Sequence, residues 1–106
     1  MVSESEAGRF EVVLTDEAFY AYVALPSERV FEHVGEDLAL LETTPFMGVE
    51  YDSVYETKRP PFPCRVLYCE WYGLYYRVDE GARQVVVFAI EDQRRNPSHR
   101  FGPLGA

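Results

Sequence analysis

Long apolar runs are missing from this chain of 106 residues. No stretch approaches the roughly 18 consecutive apolar residues of a membrane-spanning helix, so none is expected. The opening Met1 to Gly8 is polar and acidic, the opposite of a secretory leader, and is expected to be a disordered start to a cytoplasmic protein. Cysteine is scarce: Cys64 and Cys69 are the two present, five positions apart within one strand-like run. Their side chains should leave opposite faces, with alpha carbons roughly 17 Å apart at 3.3–3.4 Å per residue. A disulfide needs about 4.4–6.8 Å, so the two are not expected to pair. Histidine is as rare, and His33 and His99 share no metal-ligand spacing with the cysteines. No metal and no cofactor are expected. Repeats and low-complexity tracts are absent as well.

Basic residues are nearly missing from one half. Residues 1–56 hold 13 acidic side chains against Arg9 and Arg29, a net of −11, whereas residues 57–106 hold eight basic against five acidic, a net of +3. Together they give the formal charge of −8. Such a chain is a poor non-specific binder of nucleic acid, because neutralising phosphates takes clustered lysine and arginine. Its second half is suited to a specific anionic target. Solubility alone would also account for acidic helix faces and arginines along a sheet edge.

What is present is apolar and aromatic, 47% and 15% of residues, enough for one core in one compact domain over residues 9–101. Arg9 to Leu14 reads as a short strand. Thr15 or Asp16 caps a helix carrying Ala18, Phe19, Tyr22 and Val23 at helical spacing, which stops at Leu25-Pro26. Ser27 caps a second helix with an apolar stripe of Val30, Phe31, Val34, Leu38 and Leu41. His33 lies on its charged side and reads as a solvated surface histidine. Gly35 costs this helix roughly 1 kcal/mol against alanine, which close approach of the first helix would explain. The tight turn makes the two helices an antiparallel hairpin. A long loop follows from Thr43, stiffened by Pro60, Pro61 and Pro63.

The remainder alternates. Arg65 to Trp71 has Arg65, Leu67, Cys69 and Trp71 on one face and Val66, Tyr68 and Glu70 on the other. Gly73 to Asp79, a turn at residues 80–83, and Gln84 to Ile90 complete a three-stranded antiparallel meander. The class is α+β: a strand, a helical hairpin on one sheet face, then the meander, with the first strand joining at an edge or the centre. The last strand runs into a basic knot, Arg94-Arg95-Asn96-Pro97-Ser98-His99-Arg100-Phe101. Residues 102–106 read as a flexible end.

In this order the elements resemble the RelE/ParE superfamily of bacterial type II toxins across roughly residues 10–101. The markers are the strand before Thr15-Asp16-Glu17-Ala18, the Leu25-Pro26 turn, and Thr44-Pro45-Phe46-Met47-Gly48. Arg65, the run from Leu74 to Asp79, and Ala89-Ile90 leading to Arg94-Arg95-Asn96-Pro97 follow. The resemblance implies growth inhibition by ribosome-dependent mRNA cleavage or by gyrase inhibition, and a cognate antitoxin in a hetero-oligomer with no membrane role. The alternative is a catalytically degenerate module that binds an antitoxin without toxicity.

For the nuclease, general acid–base chemistry with cationic stabilisation of the phosphorane makes Arg95, Arg94, His99 and Arg65 the catalytic candidates. Glu50 and Asp52 are loop residues able to serve as a base. Arg65, Arg77, Arg94 and Arg95 are the candidates for holding an acidic antitoxin. The chain departs from the family at three places. Gly73 stands where nucleases of the RelE branch commonly have an arginine, Phe101 where they often have a tyrosine, and Asp92 where related members often have a histidine.

Overall fold

The computed structural model describes residues 9–51 and 62–94. The two expected chain ends, residues 52–61 of the loop with Pro60 and Pro61, and Arg95 to Phe101 lie outside these described residues. The elements are β1 (Glu11–Leu14), α1 (Asp16–Val23), α2 (Glu28–Leu40), β2 (Val49–Glu50), β3 (Arg65–Cys69), β4 (Tyr72–Asp79) and β5 (Gln84–Asp92). The class is α+β, with one sheet of order β1-β5-β4-β3-β2. β1 is at an edge and runs parallel to β5, while the other pairings are antiparallel. β2 replaces part of the expected loop, setting Val49 opposite Val66 and Glu50 opposite Arg65. A strand of two residues carries no periodicity, so pattern alone does not reveal it.

Both helices begin as their sequences dictate. Thr15 Oγ1 accepts from the Ala18 amide at 3.3 Å and Ser27 Oγ from the Val30 amide at 3.3 Å, each satisfying an otherwise orphaned donor. Along α2, Val30, Val34 and Leu38 are buried, as is Leu41 just beyond it. Phe31 stacks on Tyr22 of α1 at 4.5 Å. The stripe on α1 is narrower than its spacing implies: Ala18 is buried, but Phe19 and Val23 are half exposed. An eight-residue helix over a sheet edge has room for only one buried row. Gly35 does mark a close approach, since a Cβ there would lie 2.8 Å from the Tyr22 hydroxyl.

The sheet separates two apolar clusters. The helix-side core joins Ala18, Val30, Val34, Leu38 and Leu41 to Cys69, Leu74, Tyr76, Val85, Val87 and Ile90. The opposite face holds Cys64, Val66, Tyr75, Phe88 and Ala89, with Tyr51 and Phe62 packed on it. Cys64 and Cys69 are therefore free, buried and on opposite faces, and burial pushes their thiols up to about 11 and about 12. A bulge explains how β5 serves both clusters. Tyr75 pairs with Ala89 but Tyr76 with Val87, so Phe88 is an extra residue. Strict alternation would put Ile90 on the side away from Val85 and Val87; the bulge returns it to the helix side.

Candidate functional site

At the end of the sheet where β3 begins and β4 finishes, a cleft of about 440 Å³ opens. Phe46, Tyr51, Arg65, Arg77 and Glu50 are among the residues lining it. The turn that carries Phe46 and leads to Glu50 is held at one residue, Gly48. The Gly48 N–H donates to the hydroxyl of fully buried Tyr76 at 2.9 Å, while Arg65 Nη1 donates to the Gly48 carbonyl at 2.7 Å and to that of Phe46 at 3.3 Å. The Arg65 guanidinium also lies 5.1 Å from the centre of the Phe46 ring. This grip seats the turn before β2 and so fixes Glu50 opposite Arg65.

The sequence-chosen cations have unequal fates. Arg77 is exposed on the strand end, in the cleft with Glu50 and Arg65. Arg65 is half-buried and spends its hydrogen bonds on main-chain carbonyls, which makes it chiefly a positioning residue for the turn. Arg94 is at the other end of the sheet. There it holds Asp92 in a fork, Nε to Oδ1 at 3.0 Å and Nη2 to Oδ2 at 2.8 Å, with its plane 4.8 Å from the Trp71 ring. The Asp92 carboxylate raises its pKa further above the ordinary guanidinium value. Arg77 is opposite Val86, and Arg94 lies eight positions farther along, roughly 20 Å or more away. Arg65 and Arg77 share the cleft, and Arg94 does not join them. Arg95, His99 and Asp52 lie outside the described residues.

Two groupings escaped the sequence. On the sheet face away from the helices, Tyr51 meets Tyr75 edge-on at 5.0 Å, and Phe62 meets Phe88 at 4.9 Å. Gln93 Nε2 reaches the Tyr75 hydroxyl at 3.3 Å. Doubled aromatics at residues 75 and 76 hinted at two occupied faces, but nothing local told which tyrosine served which. On the helix side, His33 is not simply solvated: its Nδ1 donates to Glu70 Oε2 at 2.8 Å, and Arg29 Nη1 reaches the same oxygen at 3.0 Å. The hydrogen bond that His33 donates to Glu70 raises the imidazole pKa, and the same bond, with Arg29, lowers that of Glu70. Spacing gave no hint of this pair because the partners are 37 positions apart.

The missing arginine at Gly73 has a local reason. A Cβ there would come within 2.7 Å of Gln93 Nε2, 3.0 Å of the Tyr75 ring and 3.2 Å of Val66. This chain fills that space with its own side chains.

No sequence-family model matches the chain, and no curated protein matches it in sequence. Solved structures do match. The archaeal RelE–RelB complex from Pyrococcus horikoshii OT3 superposes with a TM-score of 0.66 at 13% identity, over 83% of this chain and 99% of that one. The toxin–antitoxin complex RelBE2 from Mycobacterium tuberculosis gives 0.62 at 22% identity, over 79% and 98%. The intact E. coli RelBE toxin–antitoxin complex gives 0.60 at 18%, over 81% and 99%. The chain has a RelE-like fold.

Proposed function

We propose that this chain is the toxin of a type II toxin–antitoxin module, acting by ribosome-dependent mRNA cleavage and neutralised by a cognate antitoxin. The observation that carries the proposal is the cleft that brings Glu50, Arg77 and Arg65 together beside Tyr51 and Phe46 on a RelE-like fold. Each part suits a bound single strand. Tyr51 and Phe46 offer aromatic faces for a base. Glu50 is a carboxylate for the ribose 2′-hydroxyl proton, and Arg77 is a cation for the phosphorane. Arg94, at the other end of the sheet, then acts on a flanking phosphate or on the antitoxin rather than at the reacting centre, while Arg95 and His99 stay the candidates for a further cation and for the acid. An acidic antitoxin segment would bury Arg77 and close the cleft.

A second reading, a degenerate antitoxin-binding module, draws on the engagement of Arg65 with carbonyls and of Arg94 with Asp92. Tightly induced expression in a bacterial host, with labelled amino acid and thymidine incorporation followed separately, separates the possibilities. Early loss of amino acid incorporation, with new mRNA ends that vanish in Arg77→Ala and Glu50→Gln, is the expected outcome. Early loss of thymidine incorporation would instead identify gyrase as the target. Normal growth with abundant soluble protein would favour the degenerate module.

A further inference from the structure

The sequence separates His33, Asp37 and Cys69, but the fold gathers one ligand atom from each within 4.8 Å of the others. His33 and Asp37 are one turn apart on α2, so they share a face, and Cys69 is the last residue of β3. After Cys69 the chain takes a left-handed step at Glu70, φ 57°, and the Glu70 carboxylate meets His33 Nδ1. We propose that His33, Asp37 and Cys69 form a zinc-binding site that clips α2 to the end of β3, with Glu70 as the positioning residue for the imidazole.

Four observations support it. The donor set, one imidazole, one carboxylate and one thiolate, suits Zn²⁺ and leaves a fourth position for water. A tetrahedral zinc with bonds of about 2.0–2.3 Å needs ligands roughly 3.3–3.8 Å apart, so the three atoms need only close in by rotamer adjustment. A carboxylate can only accept, so Glu70 fixes the hydrogen on Nδ1 and leaves the ring's lone pair on Nε2, the outer-shell arrangement usual for zinc-bound histidine. An adjoining cleft of about 270 Å³ is lined by Glu32, Glu36, Glu70, Arg29 and His33, an acidic approach for a dication. The charges also balance, because Asp37 and ionised Cys69 together neutralise Zn²⁺. On binding, the Cys69 thiol gives up its proton to solvent, as does the second imidazole nitrogen when His33 is charged. The cluster is at the opposite end of β3 from Arg65 and is independent of the proposed cleavage chemistry.

The test uses the full chain without a histidine tag, stripped with chelator and titrated with Co²⁺ as the spectroscopic probe. One equivalent should produce a thiolate-to-cobalt charge-transfer band and tetrahedral ligand-field bands, all displaced by Zn²⁺. His33→Gln should abolish them, and since this side chain is 45% exposed the variant keeps its fold. Glu70→Gln should weaken binding by about 10–100-fold, the usual effect of losing an outer-shell partner. Cys64→Ser should bind as the parent does. Zn²⁺ should raise the melting temperature of the parent and not that of His33→Gln. Absence of the thiolate band, its persistence in His33→Gln, or its loss in Cys64→Ser would overturn the proposal.

Discussion

Tyr76→Phe removes one oxygen atom, and the structure says what that should cost. Tyr76 is fully buried, and its hydroxyl accepts the Gly48 N–H at 2.9 Å in a buried hydrogen bond. Without it the amide stays buried with no acceptor, a penalty of about 1–3 kcal/mol. For a domain of this size each kcal/mol lowers the melting temperature by about 4–8 °C, so a drop of about 4–24 °C is expected. Urea denaturation should show a lower midpoint with an unchanged slope, because the surface exposed on unfolding hardly changes. Tyr68→Phe, at a side chain 56% exposed, is the control and should stay within about 0.5 kcal/mol. The Arg65 grip on the same residue makes a sharper test. Arg65→Ala should interact with Tyr76→Phe by about 0.5–3 kcal/mol in a double-mutant cycle, since either change frees the turn that the other still holds. An unchanged midpoint in Tyr76→Phe, or additivity within about 0.3 kcal/mol, would refute the double grip on Gly48.

The two glycines should part company. Gly48→Ala drives a Cβ to 2.7 Å from the Val66 main-chain oxygen and 2.6 Å from the Tyr76 hydroxyl, and should destabilise by about 1–3 kcal/mol or more in chemical denaturation. Gly35→Ala meets only the movable tip of Tyr22 and gains about 1 kcal/mol of helix propensity, so it should be close to neutral. His33 has a raised folded-state pKa, so its contribution is complete below the unfolded value of about 6.5 and fades as pH rises through the folded one. In chelator, the melting-temperature gap between parent and His33→Gln should therefore narrow above neutrality; a gap that widens would disprove the ion pair. Arg77→Ala should leave the denaturation midpoint within about 0.5 kcal/mol, because the side chain is exposed, while reducing toxicity in the induction assay.

How much of this was legible beforehand follows from the range of each interaction. The caps at Thr15 and Ser27, the α2 stripe and the face alternation of β3 are set within a few residues, and local pattern revealed them. The parallel pairing of β1 with β5 joins positions 73 apart, and no local signal chooses an edge over the centre. The bulge at Phe88 is equally hidden, since Val85 to Ile90 is uniformly apolar and alternation has nothing to mark. The site followed the same division. Arg77 and Arg65 were found by type, but whether a guanidinium is free depends on acceptors that the fold supplies. For Arg65 these are carbonyls 17 and 19 positions back.

That dependence changes how the charge distribution bears on function. A net of +3 in the second half looked like a reserve of cations, yet Arg65 is committed to the turn before β2 and Arg94 to Asp92. Their commitments differ in strength. Arg94 is 63% exposed, and an ion pair so open to water is weak, so a phosphate or an acidic partner can take it from Asp92 at little cost. Removing Arg65 from two carbonyls, one of them at 2.7 Å, would release the segment that carries Glu50. The fold thus assigns the two arginines different work. Arg94 is an exchangeable contact at the end where β5 finishes. Arg65 shapes the cleft, and the mobile positive charge that a ligand in the cleft would meet belongs to Arg77.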